Sequence, residues 1–328
     1  MIKIMYIDKN GAAKDITPVT ANYIRTDNIE SLGMQLSFDL LNNPLDANFN
    51  RNRLEIGGKI IMSNNGKTVF TGVIMAQDHN HFTQLSYKCY DYAYYLNKSE
   101  AIIQFNKISI SGAITRLCNE NNIPVGSVTD IPTEISKIYN GTKISDIIKD
   151  LLKLATAELG IKYRLEVREN KLYIEKYEDL IISATYKPAP NIREFDVTKV
   201  IGSFNCSYTA EEMATRVIIV SSSEKNRQII ATAEDGGNIK TFGLLTKVEK
   251  IEDKKTSQAA AIAKKKLADL NKVKKDFKVT LFGDDNVRSG RMLVFNQPDI
   301  DLVGAFLVKN CTHKYNGRSH TMELDLEV

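Results

Sequence analysis

The sequence predicts a mainly β protein with an α+β insertion: two related β-barrel domains flanking a small α+β domain. Three observations carry this. Short strands parted by polar turns fill both ends of the 328-residue chain, the apolar period turns helical in the middle, and one glycine-bracketed block occurs twice. At roughly 100–200 residues per domain the length suits two or three domains. The boundaries fall at 1–106 for the first barrel, 107–187 for the α+β domain and 188–328 for the second barrel.

In the first segment, Ile2 to Ile7 reads as a strand, not a targeting segment, because Asp8-Lys9-Asn10-Gly11 turns the chain too early. From Leu32 to Leu40 apolar and polar residues alternate as a half-buried strand requires. Lys59-Ile60-Ile61-Met62 is a buried-strand run closed by Ser63-Asn64-Asn65-Gly66. Val69 to Ala76 and Gln84 to Tyr90 read as two strands joined through the polar stretch Gln77-Asp78-His79-Asn80-His81.

The middle segment changes period. Ser109 or Ser111 caps a helix carrying Ile114, Leu117 and Cys118, which Asn121-Asn122 and Pro124 end. After Gly141-Thr142, Ile144, Ile147, Ile148, Leu151, Leu152, Ala155 and Leu159 fall at helical spacing, and Gly160 suits the position after the helix. A hairpin follows from Ile161 to Tyr177, turned at Arg168-Glu169-Asn170, and Lys187-Pro188-Ala189-Pro190-Asn191 reads as a linker.

Strands return at Phe204–Tyr208, Arg216–Ser221, Ile229–Ala233 and Ile239–Val248, with Asp235-Gly236-Gly237-Asn238 read as a hairpin turn. A lysine-rich helix at about 257–274 interrupts them before Phe277–Gly283 resumes the sheet. The repeat then shows itself. Gly58-Lys59-Ile60-Ile61-Met62 runs through Asn64 to Gly72, and Gly290-Arg291-Met292-Leu293-Val294 runs through Asn296 to Gly304. Both glycine pairs are fourteen positions apart. The spacing is read either as two ordinary hairpins that coincide or as two related barrels in one chain, whose use would be symmetry.

With 44 basic and 40 acidic residues the charge is near balance, so no nucleic-acid or membrane partner follows from it. No apolar run approaches the roughly 20 residues that span a bilayer. Four scattered cysteines (Cys89, Cys118, Cys206, Cys311) fit a reducing cytoplasm and no disulfide framework.

The search for chemistry assigns no catalytic, cofactor-binding or metal residue. Asp78-His79-Asn80-His81 is the one local histidine cluster, and a metal would need further ligands from elsewhere. His313 and His320 flank the turn Asn316-Gly317 and read as cross-strand neighbours. Asp284-Asp285-Asn286 opens like a calcium loop without the following glycine or the distal glutamate. There is no G-x-S-x-G, H-E-x-x-H or phosphate loop. Between Ile251 and Asp276 eight lysines face four acidic residues, which reads as a solvated helix face or a contact for an acidic protein. No aromatic residue interleaves them as single-stranded nucleic acid would require.

The last ninety residues also form a recognisable block. Gly243-Leu244-Leu245 leads to the Ala- and Lys-rich helix and a strand ending in Gly283-Asp284. Arg288-Ser289-Gly290-Arg291-Met292-Leu293-Val294 follows, then a strand from Gly304 and the turn at Asn316-Gly317 before Thr321-Met322-Glu323-Leu324. This block resembles the tail hub proteins of contractile phage tails and related injection machines, the group that includes late control protein D. The piece from Gly58 to Asp91 resembles the family's first barrel. The resemblance implies a non-enzymatic, cofactor-free structural protein: a homotrimer in a pseudo-sixfold ring between tail tube protein and central spike protein, touching other baseplate proteins. It further implies assembly in the bacterial cytoplasm, as part of a virion or phage-tail-like bacteriocin, with no specific nucleic acid and no membrane insertion. With the chain stopping at Val328, a separate protein is expected to pierce or digest the envelope. Two rival readings stand beside it: a wall-degrading or glycan-binding protein using 107–187, and a nucleic-acid-binding protein using the lysine-rich helix.

Overall fold

The first strand of the chain, β1 (Ile2–Ile7), lies between β2 (Ala13–Asp15) and a strand some fifty residues on, and most of the architecture grows from that sheet. The computed structural model describes residues 2–43, 46, 53–188, 191–221, 228–251, 253–317 and 319–327, with the side chains of 80, 81 and 253–255 outside that description. Two compact units are distinguished: residues up to Asn205 together with those from Lys278 on, and Cys206–Phe277.

The first unit holds β3 (Thr20–Asn28), β4 (Met34–Leu41), β5 (Lys59–Asn64), β6 (Lys67–His81) and β7 (Gln84–Tyr90). Inward positions alternate strictly in β4, where Met34, Leu36, Phe38 and Leu40 are buried. With Ile4, Ile60, Met62, Ile74, Leu85 and Tyr87 they make the first barrel's core, which Tyr315 from near the C-terminus also joins. The polar residues 77–81, expected to be a turn, continue β6 as strand. Asp78 pairs with Ser86 and His81 with Gln84, so the chain reverses at Phe82-Thr83. A strand bare on one face tolerates polar residues, and hydrophobicity alone therefore placed its end too early.

The α+β region has α1 (Ala93–Lys98), β8 (Glu100–Ser109), α2 (Ile110–Glu120), β9 (Val125–Val128), β10 (Glu134–Lys143), α3 (Ile144–Leu159), β11 (Tyr163–Arg168) and β12 (Lys171–Lys176). Ser109 caps α2 by accepting from the Gly112 amide at 3.2 Å, and Gly160 ends α3 at φ 73°. The stripe Ile144, Ile147, Ile148, Leu151, Leu152 and Ala155 is buried against Leu165, Leu172 and Ile174 of the hairpin. Three two-residue strands follow, β13 (Ile181–Ile182), β14 (Thr185–Tyr186) and β15 (Phe195–Asp196). The expected linker at 187–191 includes Ala189 and Pro190, which lie outside the described residues.

β16 (Ser203–Thr209) leads into the second unit. There β17 (Arg216–Ser221) pairs antiparallel with β18 (Ile229–Glu234) and parallel with β19 (Thr246–Ile251). The expected turn at Asp235 is instead a helix start. Its carboxylate accepts from the Gly237 and Asn238 amides (2.8 and 3.2 Å) and caps α4 (Gly236–Phe242), where a strand was expected from Ile239. Helix α5 (Ala259–Leu270), shorter than the expected 257–274, buries Ala259 and Ala263 with Val217, Ile219 and Ile251. Lys264, Lys265, Lys272 and Lys275 are exposed, and Lys266 meets Glu249 at 3.2 Å.

β20 (Lys274–Phe282), β21 (Met292–Gln297), β22 (Leu302–Asn316) and β23 (Ser319–Glu327) complete the chain. One sheet runs in the order β16-β20-β23-β22-β3-β4-β7-β6-β5-β1-β2, with β21 on the first half of β22. The expected mainly β fold with two related β domains is the one found. The set β3-β4-β7-β6-β5 repeats as β16-β20-β23-β22-β21, in the same spatial and chain order. In both sets a six-residue strand precedes a fifteen-residue one.

The repeat is offset from the spacing that revealed it. Lys59 pairs with Val73 as Met292 pairs with Leu307, and Met62 with Phe70 as Phe295 with Gly304. The Gly57 amide donates to the Ile74 carbonyl (2.8 Å) as Gly290 donates to Val308 (2.7 Å). Gly57 (φ 91°), not Gly58, is therefore the counterpart of Gly290 (φ 82°). Gly72 matches Phe306. The first hairpin closes by Asn65-Gly66 with a bulge next to Ser63, whereas the second uses the longer turn 298–301, so equal spacing does not mean equal register.

Candidate functional site

The loop 283–291 between β20 and β21 gathers a buried charged cluster from distant parts of the sequence. Asp285 accepts from the Tyr315 hydroxyl (2.5 Å) and the Asn64 amide (2.8 Å), and lies 3.6 Å from Arg25. Asp27 receives the Ser289 amide through both carboxylate oxygens at 3.0 and 3.1 Å. Glu166 on β11 meets Arg288 at 2.6 Å and grips Arg291 in a two-pronged pair at 2.7 and 3.1 Å. Arg164, two positions earlier, donates to the Ser289 hydroxyl at 2.9 Å. Strand alternation puts Arg25 and Asp27 on the inward face after Tyr23, and Arg164 and Glu166 are 4% and 3% exposed.

Burial by itself would raise the Glu166 carboxyl, but Arg288 and Arg291 outweigh it and hold the group down to about 2. Asp91 shows the opposite balance: burial pushes it up to about 6 against the weaker pull of backbone donors and Arg288. Burial and the Arg25 charge depress both His313 and His320, the latter to about 4 despite Asp285 nearby. Both rings are therefore neutral at pH 7. The Val287 carbonyl can only accept, so His313 Nε2 carries the proton toward it at 2.9 Å. His313 Nδ1 then accepts from His320 Nε2, also at 2.9 Å.

Asp285, His313 and His320 present ligand atoms within 4.8 Å of one another, the grouping nearest to a metal set among the described residues. Each atom is already engaged in the hydrogen-bond chain, and the Arg25 cation stands where a second cation would be repelled. The arrangement is a relay that fixes neutral histidines. The burial of Cys311 raises its thiol well above the ordinary range, which removes thiolate character. Two cavities border the cluster, one of about 250 Å³ beside Arg25, Asp91, Arg288 and Arg291 and one of about 730 Å³ beside Asp285, Tyr315 and His320, the latter within the roughly 300–1,000 Å³ usual for ligand pockets.

His313 and His320 are near neighbours on adjacent strands, as expected: Tyr315 faces His320 and His313 faces Met322 in register. His79 is exposed at the far end of β6, while the side chains of Asn80 and His81 lie outside the described residues. Asp284 holds the Thr185 and Asn286 amides (2.8 and 2.9 Å), which is turn chemistry and not a calcium loop. The charged cluster itself was missed. Its signal was present in Tyr23-x-Arg25-x-Asp27 and Arg164-x-Glu166, charges placed on the inward phase of strands.

The fold is shared with phage tail proteins of known structure. The 43 kDa tail protein of prophage MuSo2 from Shewanella oneidensis matches with a TM-score of 0.70 at 12% identity, over 99% of this chain and 98% of that one. The tail protein from Neisseria meningitidis MC58 matches at 0.65 and 15% identity, over 100% and 96%. The chain belongs to the YqbQ-like family, whose model matches residues 24–327. The protein YqbQ of Bacillus subtilis (strain 168) is 24% identical over 275 residues, 82% of this chain and 81% of that protein.

Proposed function

We propose that this protein is a non-enzymatic structural component of a phage tail or phage-tail-like bacteriocin, and within it the baseplate hub. Three copies form a ring of pseudo-sixfold symmetry that joins the tail tube to the central spike and contacts other baseplate proteins. It assembles in the bacterial cytoplasm and leaves as part of the particle. The observation that carries this reading is the repeat of β3-β4-β7-β6-β5 as β16-β20-β23-β22-β21. A chain with two like units gives a trimer six like positions, which lets a threefold spike meet a sixfold tube. The fold shared with tail proteins agrees with it. No helix among the described residues is long and apolar enough to cross a membrane.

The cluster of Glu166, Arg288, Arg291 and Asp27 has a mechanical role here. It ties β3, β11 and the 283–291 loop by charge-assisted hydrogen bonds, which fixes the second unit of the repeat against the first. The test is native mass measurement of the chain co-assembled with its spike protein. Three chains per spike trimer is the expected result, and a persistent dimer or an unbound monomer refutes the hub. DNA binding that falls steeply with salt would favour the lysine-rich face of α5 as the working surface instead.

A further inference from the structure

The repeat contains one junction inside the chain and the two halves of another. Inside the chain, the second half of β22 pairs antiparallel with β3 from Asn310↔Asn28 to Tyr315↔Tyr23, with His313 opposite Arg25. This junction joins the two five-strand sets. In the first set, the counterpart of Asn310–Tyr315 is the stretch 76–81 of β6, because Ile74 matches Val308 and each strand bulges just beyond that residue. β5 reaches only as far as Val73, so among the described residues 76–81 is bonded on the β7 side alone.

In the second set, the counterpart of β3 is β16, the last strand of the sheet. Its register follows from two bonds. The Gly283 amide donates to His320 as Asn42 donates to Thr83, which aligns β20 with β4. The bond from the Gly202 amide to Thr280 (2.9 Å) then sets Asn205 at the place of Arg25.

We infer that 76–81 of β6 in one copy and β16 of the next copy form the second junction, antiparallel, with His79 opposite Asn205. The inference rests on the hub reading for the number of copies, but the strands and their register come from the repeat. Three further facts support it. His79 occupies the position of His313, so both junctions place a histidine at the same rung. Gln77 and His79 are exposed where their counterparts Cys311 and His313 are buried, as half of an open junction must be. Ser203 and Asn205 are exposed where Tyr23 and Arg25 are buried. The facing rungs are polar, Gln77 and His79 against Ser203 and Asn205, while β16 also exposes Phe204 and Tyr208, apolar area that a second copy would cover.

The test uses the full chain co-assembled with its spike protein, carrying His79→Cys and Asn205→Cys in a Cys206→Ser background. Directly opposed Cβ atoms in an antiparallel pair stand about 5 Å apart, within reach of a short dithiol-reactive linker. The double variant should run as a covalent trimer on a denaturing gel, and either single variant as a monomer. A native trimer that fails to cross-link refutes this junction while leaving the hub intact, and the absence of any trimer refutes the hub. Hydrogen exchange on the unmodified protein covers the case of a misfolded variant. The amides of 76–81 should slow on assembly, and unchanged exchange in an assembled trimer refutes the junction.

Discussion

Replacing Glu166 by glutamine removes one charge from the centre of the cluster while keeping its shape. The carboxylate is 3% exposed and bound to Arg288 at 2.6 Å and to Arg291 at 2.7 and 3.1 Å. Its pKa is held at about 2 against an ordinary 4.5, with burial opposing and the two arginines prevailing. At 1.36 kcal/mol per unit, the ionised form contributes about 3 kcal/mol of stability at pH 7. This matches the roughly 3–5 kcal/mol lost when one partner of a buried pair is removed. A depressed carboxyl gives stability that is full above the unfolded value and is lost as pH falls through the folded one. The gap between wild type and Glu166→Gln should therefore narrow to about 1 kcal/mol at pH 3. Urea denaturation of both proteins at pH 7 and pH 3 measures it. A gap under about 1 kcal/mol at pH 7, or one equal at both pH values, would show that the arginines are not balanced by this carboxylate.

Two other substitutions probe the fold. Leu151→Ala empties a fully buried position on α3 and should cost about 2–5 kcal/mol in the same assay; a loss under about 0.5 would show that the stripe is not core. Gly290 and Gly66 share nearly the same φ, 82° and 83°, but a Cβ on Gly290 would come within 2.3 Å of Arg164 Nε whereas Gly66 faces open space. Gly290→Ala should thus destabilise more than Gly66→Ala, which carries only the roughly 1–2 kcal/mol of left-handed strain, and equal losses would mean that Arg164 is free to move away.

The helices α2 and α3 and the hairpin of the α+β region were the most legible part of the sequence, because their signals are local, whereas α1, β8, β9 and β10 were not read. Ser109 caps α2, Gly160 ends α3, and Glu169 and Asn170 turn the hairpin at positive φ, each by chemistry confined to a few residues. Asp235 misled for the same local reason: Asp-Gly-Gly serves a hairpin turn and a helix cap equally, and the choice lay with Asn271, whose side chain reaches Asp235 from 36 residues away. The repeat could be found by spacing but not aligned by it, since the bulge next to Ser63 and the longer turn at 298–301 shift the register without changing the composition. The cluster was hidden for a deeper reason. A buried charge looks like a surface charge in sequence until its partner is placed, and Glu166 finds Arg291 across 125 positions.

That cluster also bears on the proposed assembly, because it sits where the two sets of strands join inside one chain. A junction between barrels built from apolar residues would leave sticky edges on every unassembled copy. Here the junction inside the chain is polar, with Arg25, Asp27, His313 and Tyr315 on facing strands and Asp285, Val287 and Ser289 satisfying them from the adjoining loop. The 283–291 loop supplies those partners to this junction, whereas the proposed second one has Gln77, His79, Ser203 and Asn205 at the same rungs. Polar groups lose little on leaving water if each finds a hydrogen bond, which a matching strand edge supplies. The permanent junction can carry full charges because its counter-charges are covalently present from the moment of folding. The proposed junction between copies meets its partner only on assembly, and polar rungs that a matching strand can satisfy suit it.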